Sequence, residues 1–215
     1  MLCAGPRAPG RRGGVRGPAR ARARRGPAPA RATALVPVAD GTEEMEAVII
    51  VDVLRRAGVE VTVASVEREA TITASRGVRI VADTTMGALP ATADFDAIVL
   101  PGGMPGAERL RDTPELVAML ERQEEAGLLL GAICAAPAVV LEGKGLVGGR
   151  EATCHPAFVD GLSNQTAADT RVVLDGNLLT SRGPGTAFEF ALKLVELLCD
   201  RDTADAVAAP MVLPP

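Results

Sequence analysis

With 215 residues, 47% of them hydrophobic and 23% charged, the chain has the size and balance of one soluble globular domain with a substantial core. Nine arginines (Arg7, Arg11, Arg12, Arg16, Arg20, Arg22, Arg24, Arg25 and Arg31) precede the first acid, Asp40, which leaves 14 Lys+Arg against 27 Asp+Glu, an acidic body behind a basic leader. No apolar run approaches the roughly 18 residues of a membrane span, and four scattered cysteines make no disulfide framework, so free thiols in a reducing compartment are expected.

The leader, "MLCAGPRAPGRRGGVRGPARARARRGPAPARA", has no acid, no apolar centre and much Pro and Gly, so residues 1–32 build no core and are no secretory signal. They resemble an organelle transit peptide removed near Ala32, with the chloroplast as the expected destination and the mitochondrion or cytoplasm as alternatives. A retained basic arm on nucleic acid or anionic lipid is the rival. Nucleic acid is not the expected partner, because a chain with neither Trp nor Tyr offers few rings for stacking on bases.

From residue 33 to 215 the pattern alternates between strand and helix. "ALVPVA" reads as a buried strand, "GTEEMEAVIIVDVLRRAG" as a helix closed by Gly58, and "VEVTVASV" as a second strand. The first helix carries two stripes: Ala47, Ile50, Val51, Leu54 and Ala57 on one, Met45, Val48, Ile49 and Val53 on the other. Two apolar faces mean either a partner or a helix buried all round. "ATITASRGVRIV" is a small hairpin, "FDAIVLPGG" a strand entering a Gly-rich turn, and "TPELVAMLERQEEAG" a helix with Thr113 as N-cap and Pro114 at its first position. "LLLGAICAAPAVVLEGKG" runs from a strand into a helix starting near Ala135, and "EATCHPAF" leaves a further strand for a loop. "RVVLDGNLLTS" is a hairpin on an Asp-Gly turn, "GTAFEFALKLVELLCD" is a long helix, and the tail is a short covering segment. Short apolar strands alternating with helices give an α/β domain with a parallel sheet.

In such sheets ligands bind beyond the carboxyl ends of the strands. Cys134 stands at one of these ends, before a helix whose free N–H groups and dipole favour thiolate, which makes it a candidate nucleophile; alternatively it is a small buried hydrophobe. Gly103, in "LPGG", brings a backbone N–H that with the Ala135 N–H can hold an oxyanion. His155 is the only histidine of the chain, either an acid-base group or an exposed loop residue. Glu46 lies in the first turn of the first helix, where an acid complements the dipole. Cys199 is expected in the core, and Cys154, beside His155, is either a passive residue or a modulating thiol.

The ordered blocks "GTEEMEAV", "LRRAGVEVTVA", "SRGV", "VLPGG", "AICAAP", "TCHP", "LTSRGPGTAFEFAL" and "APMVL" resemble the ThiJ/PfpI superfamily in its parkinsonism-associated deglycase branch, from about Ala34 to Leu213. The resemblance implies a flavodoxin-like doubly wound parallel sheet with a nucleophile-elbow cysteine, and a homodimer. It implies that Cys134 is the reactive cysteine, Glu46 the carboxylic acid on its sulfur and His155 the nearby histidine. By the same resemblance Gly103 and Ala135 are the backbone donors, and Arg76 and Arg182 line the substrate pocket near the dimer interface. Ala74 and Val81 replace two further cysteines of human-type members, so chemistry assigned to those does not transfer.

Peptidase members follow their cysteine with histidine, whereas Ala135 and Ala136 follow Cys134 here, so peptidase activity is not expected. The expected activity is a cofactor-independent glyoxalase III reaction on methylglyoxal and glyoxal, with deglycation of proteins as a variant. The alternative is a redox-sensing, oxidative-stress-responsive holdase chaperone acting through oxidation of Cys134. Neither metal nor cofactor is expected: one histidine gives no zinc spacing, and "PGGMPGAERL" and "EGKGLVGG" match no phosphate-loop pattern.

Overall fold

Along the first strand the side chains divide strictly by parity: Ala34, Val36 and Val38 belong to one hydrophobic core and Leu35 to another. That is the period-2 signature of a sheet covered on both faces. The computed structural model describes residues 31–213, so residues 1–30 of the expected basic leader lie outside the described residues.

The elements follow in the order β1 (Thr33–Val38), α1 (Glu44–Arg56), β2 (Glu60–Ser65), β3 (Thr71–Thr73), β4 (Arg79–Val81), β5 (Thr84–Thr85), β6 (Ala97–Leu100), α2 (Gly106–Arg111), α3 (Pro114–Glu125), β7 (Leu129–Ile133), β8 (Val172–Asp175), β9 (Leu178–Ser181), α4 (Ala187–Leu198) and α5 (Arg201–Ala208). Seven strands form one sheet in the order β5-β2-β1-β6-β7-β9-β8, parallel except for β8, while β3 and β4 pair antiparallel as the expected hairpin. This is the flavodoxin-like α/β fold. Ala97 and Val99 of β6 face the core under α1, α4 and α5, and Ile98 and Leu100 face the core under α2 and α3. Gly131 in β7 lets α4 approach closely, since a Cβ there would lie 3.2 Å from the Phe190 ring.

Several expectations change in detail. The residues after Cys134 form one wide helical turn, Pro137–Leu141, and a 3-10 turn, Glu142–Lys144, in place of a regular α-helix. No strand leads directly into His155: Glu151–Cys154 is irregular chain tied to β9 through the Thr153 N–H and Thr180 Oγ1, 3.0 Å apart. The β8–β9 turn centres on Gly176 and Asn177, since Asp175 pairs with Leu178, and Gly176 takes the φ of 61° that such a tight turn requires. Thr113 does sit at the N-cap with Pro114 behind it, but its hydroxyl donates to Arg109 O at 2.7 Å and makes no cap bond. The tail forms α5, and Cys199 is exposed at the end of α4, because the helix stops there and turns it out of the core. No helix among the described residues is long and apolar enough to cross a membrane.

Candidate active site

The strand order reverses at β1: β2 continues on one side and β6 begins on the other. The crevice at such a switch point lies over the carboxyl ends of β1, β6 and β7. Those ends lead into Ala39–Glu46, Pro101–Gly103 and Cys134, so the topology alone brings three of the singled-out segments together.

Cys134 has φ of 65°, one of two non-glycine residues among those described with a positive value. A side chain there costs about 1–2 kcal/mol, and the backbone holds it from both sides. The Cys134 N–H donates to Ser181 O at 2.9 Å, and its carbonyl accepts from the His155 N–H at 2.8 Å. The sharp turn sets the Cys134 side chain against the β6 loop, where the Gly103 and Ala135 amides favour the charged form of its sulfur. Gly102 must be glycine for the same reason: an added Cβ would lie 2.6 Å from the Cys134 Cβ. Gly103, at φ 91°, packs on the backbone of Gly41 and Glu43 with no space for a side chain.

Glu46 projects from the first turn of α1 into the same place and is completely buried. Its Oε2 accepts from the Gly102 N–H at 2.8 Å; Oε1 is buried without a well-aligned hydrogen bond, and the remaining polar neighbour of the carboxyl is the Cys134 thiol. Burial pushes Glu46 up from 4.5 to about 7, against the Gly102 bond and the thiol, with the Glu43 charge adding to the rise. Cys134 is pushed up to about 12 by burial first and then by the charge and hydrogen bond of Glu46, while the Gly103 and Ala135 amides pull it down. The expectation of a thiol made acidic by a helix N-terminus is therefore corrected. Beside an ionised Glu46 the sulfur keeps its proton, and the two groups act as one proton-holding pair.

The structure thus gathers Cys134, Glu46, Gly103 and Ala135 into one cluster. His155 is tied to it through the backbone, half-buried, with Nδ1 accepting from the Ala157 N–H at 3.2 Å, so the neutral ring carries its proton on Nε2. The other two residues lie further out. Arg76 is exposed at the β3–β4 turn, its N–H donating to Glu44 Oε1 at 2.8 Å. Arg182 reaches Asp169, with Nη2 3.4 Å from Oδ1, and its charge acts on the buried Cys154. Gly102, as the donor that fixes Glu46, and Ser75, whose hydroxyl touches both Glu43 and Glu44, were not singled out from the sequence. The "LPGG" turn was a signal for the first; Ser75 carries no local signal. No cluster of His, Cys, Asp and Glu among the described residues is arranged to hold a metal ion.

Comparison with known proteins agrees with this architecture. The chain is 46% identical over 182 residues to Protein DJ-1 homolog B of Arabidopsis thaliana, covering 84% of this chain and 41% of that protein. It spans less than half of the two Arabidopsis relatives, 41% and 47% of their lengths. It is 38% identical over 184 residues to the Caenorhabditis elegans protein named glutathione-independent glyoxalase DJR-1.2, covering 85% of this chain and 96% of that one. Among solved structures, oxidised Toxoplasma gondii DJ-1 superposes with a TM-score of 0.82 at 46% identity, covering 86% of this chain and all of that one. The DJ-1/PfpI family model matches residues 32–197, a span that holds all three segments of the crevice, and the chain belongs to that family.

Proposed function

We propose that the protein is a glutathione-independent glyoxalase that converts methylglyoxal to lactate and glyoxal to glycolate through Cys134. The observation that carries this reading is the buried Glu46–Cys134 pair, in which a carboxyl pushed up to about 7 shares its site with a sulfur whose charged form the Gly103 and Ala135 amides favour. The 38% identical worm protein bears the same activity in its name.

The sulfur adds to the aldehyde carbon while its proton passes to the new oxygen, giving a hemithioacetal. The amides of Gly103 and Ala135 steady the developing charge on that oxygen. Glu46 or the His155 imidazole then removes the hydrogen from the former aldehyde carbon, a proton is returned to the neighbouring carbonyl carbon, and the hydroxyl proton on the first carbon's oxygen passes to the second oxygen. This internal redox step makes the first carbon a thioester and the second an alcohol. Water cleaves the thioester, releasing lactate and restoring the thiol, with no external oxidant or cofactor. A carboxyl poised near 7 is suited to both halves of such a transfer. Arg76 and Arg182 are proposed to line the pocket, and removal of early glycation adducts from proteins is the same chemistry on a larger substrate.

The protein is proposed to act as a homodimer. On α1, Met45 and Val48 are 55% and 54% exposed, and Val48 with Val81 of β4, 72% exposed, borders a groove of about 260 Å³ between helix and hairpin. The second apolar stripe divides: Val53 enters the core, whereas Met45 and Val48 stay outside. Sedimentation of the wild type as a dimer and of Val48→Asp as a monomer checks this assembly. The acid-free, arginine-rich composition of residues 1–32 supports import into a chloroplast.

A redox-sensing role for Cys134 is the second reading, and an oxidised form of the Toxoplasma relative has been solved. The deciding experiment follows lactate formation from methylglyoxal without glutathione, using the full chain with Cys134 reduced. Lactate from the parent and none from Cys134→Ser supports the enzyme. No lactate from the reduced parent overturns it and leaves oxidation of Cys134 as the function to pursue.

A further inference from the structure

The loop after β3 is laced to the segment that delivers Glu46. The Thr73 N–H donates to Asp40 Oδ1 at 2.7 Å, the Gly41 N–H to Thr73 O at 2.9 Å, and the Ser75 N–H to Thr42 O at 2.8 Å. At the end of this ladder the Ser75 hydroxyl lies 2.8 Å from Glu43 Oε2 and 2.7 Å from Glu44 Oε2, and the Arg76 N–H donates to Glu44 Oε1. Both glutamates are buried, and the Glu43 N–H donates to the carbonyl of Gly102, whose own N–H holds Glu46. An unbroken chain of contacts therefore runs from the hairpin loop to the reactive pair.

We propose that Ser75 is a positioning residue for the Glu46–Cys134 pair: its hydroxyl, gripping Glu43 and Glu44 together, fixes the Glu43 charge beside Glu46. The inference deepens the cysteine-based reading above and rests on that pair being the working site. The hydroxyl's one proton is shared between the two carboxylates in a three-centre bond, which offsets the repulsion that would otherwise drive them apart. Burial opposes the Glu44 charge, yet the Ser75 hydroxyl and the N–H groups of Arg76 and Val78 hold this carboxyl below its usual range, so Glu44 stays ionised and anchors the clamp. Glu43 is the remaining group, and its charge favours a protonated Glu46. The other groups acting on Glu46 are the Cys134 thiol, after β7, and the Gly102 N–H, after β6. Without the clamp, Glu43 swings away from two like charges toward solvent, and Glu46 loses its proton at lower pH.

The test is the titration of the Glu46 carboxyl in the full chain by carbon-13 NMR, with the resonance assigned by its loss in Glu46→Gln. Ser75→Ala and Glu43→Gln should each lower the midpoint by about half a pH unit, and Ser75→Thr, which keeps the hydroxyl, should leave it in place. Folding is checked by circular dichroism and thermal melting. An unmoved midpoint in folded Ser75→Ala overturns the proposal, as does Ser75→Thr behaving like Ser75→Ala or a shift confined to Glu43→Gln. The titration needs no substrate, so absence of lactate leaves this result interpretable, and a fixed midpoint leaves the glyoxalase reading intact.

Discussion

Cys134 and Cys154 are both buried thiols pushed upward by desolvation, Cys134 to about 12 and Cys154 to about 11, yet they are built differently. Cys154 lies in irregular chain, its Sγ 3.5 Å from the His155 carbonyl, with the Arg182 charge as the influence that opposes burial. Cys134 occupies a strained turn with two amides on its sulfur and an acid whose own protonation lies near neutrality. After burial, the charge of Glu46 is the next cause that keeps its proton on, and that contribution vanishes when Glu46 is protonated. Burial alone does not distinguish a reactive thiol from an inert one; a neighbour able to exchange a proton does.

The largest expected effect separates the two cysteines outright. Cys134→Ser should abolish lactate formation, and Cys154→Ser should retain it within about twofold, because a passive buried position tolerates a small change. Comparable losses in both, measured as kcat/KM on folded protein, would make Cys154 part of the working site and dissolve the contrast.

Glu46→Gln should lower kcat/KM by about 100-fold or more, the scale of a lost general acid-base group. It should also alter the pH profile of Cys134 alkylation. With Glu46 present, the pair loses its first proton near 7 and shares the second, so the rate should break there; Cys154 should show no such break. A profile unchanged in Glu46→Gln would mean that the carboxyl does not govern the sulfur.

The same carboxyl sets a stability term. A buried acid raised from 4.5 to about 7 binds its proton more tightly in the folded chain, so its contribution is fully present below about pH 4.5 and is lost as pH rises through about 7. The difference is about 3 kcal/mol between those limits. Denaturant unfolding of the wild type at pH 5 and pH 8 should show this loss, and the loss should be absent in Glu46→Gln. Equal slopes in the two proteins would place the proton elsewhere.

How much of this was legible beforehand depended on whether a contact was local. The apolar run "ALVPVA" gave β1 as a buried strand, and the spacing of apolar residues gave α1 and α4, because periodicity reports burial directly. The family blocks pointed to Cys134, Glu46, Gly103 and Ala135, which the fold brings into one cluster. The Ser75 bridge joins residues 31 and 32 positions apart, which no periodicity encodes. The thiol's upward shift was misread for a related reason: a helix N-terminus is visible in sequence, whereas the desolvation that outweighs it depends on what closes over the site. Cys199 failed by one position, since a residue that continues an apolar helix in sequence lies outside once the helix has ended.

The smallest effect concerns Arg182, which has two possible duties. The resemblance assigns it to the substrate pocket, while within this single chain its charge opposes the burial of Cys154. Arg182→Gln removes a positive neighbour, which disfavours thiolate, so alkylation of Cys154 should slow by about two- to fivefold. Cys134, governed by Glu46 and the two amides, should be alkylated at its former rate. If KM for methylglyoxal rises while Cys154 is unaffected, Arg182 serves the pocket, and its ion pair with Asp169 is a resting position left when substrate or a second protomer is present. If Cys154 alone responds, the arginine belongs to the inert thiol's surroundings, and the two cysteines are electrostatically as separate as their backbone settings make them.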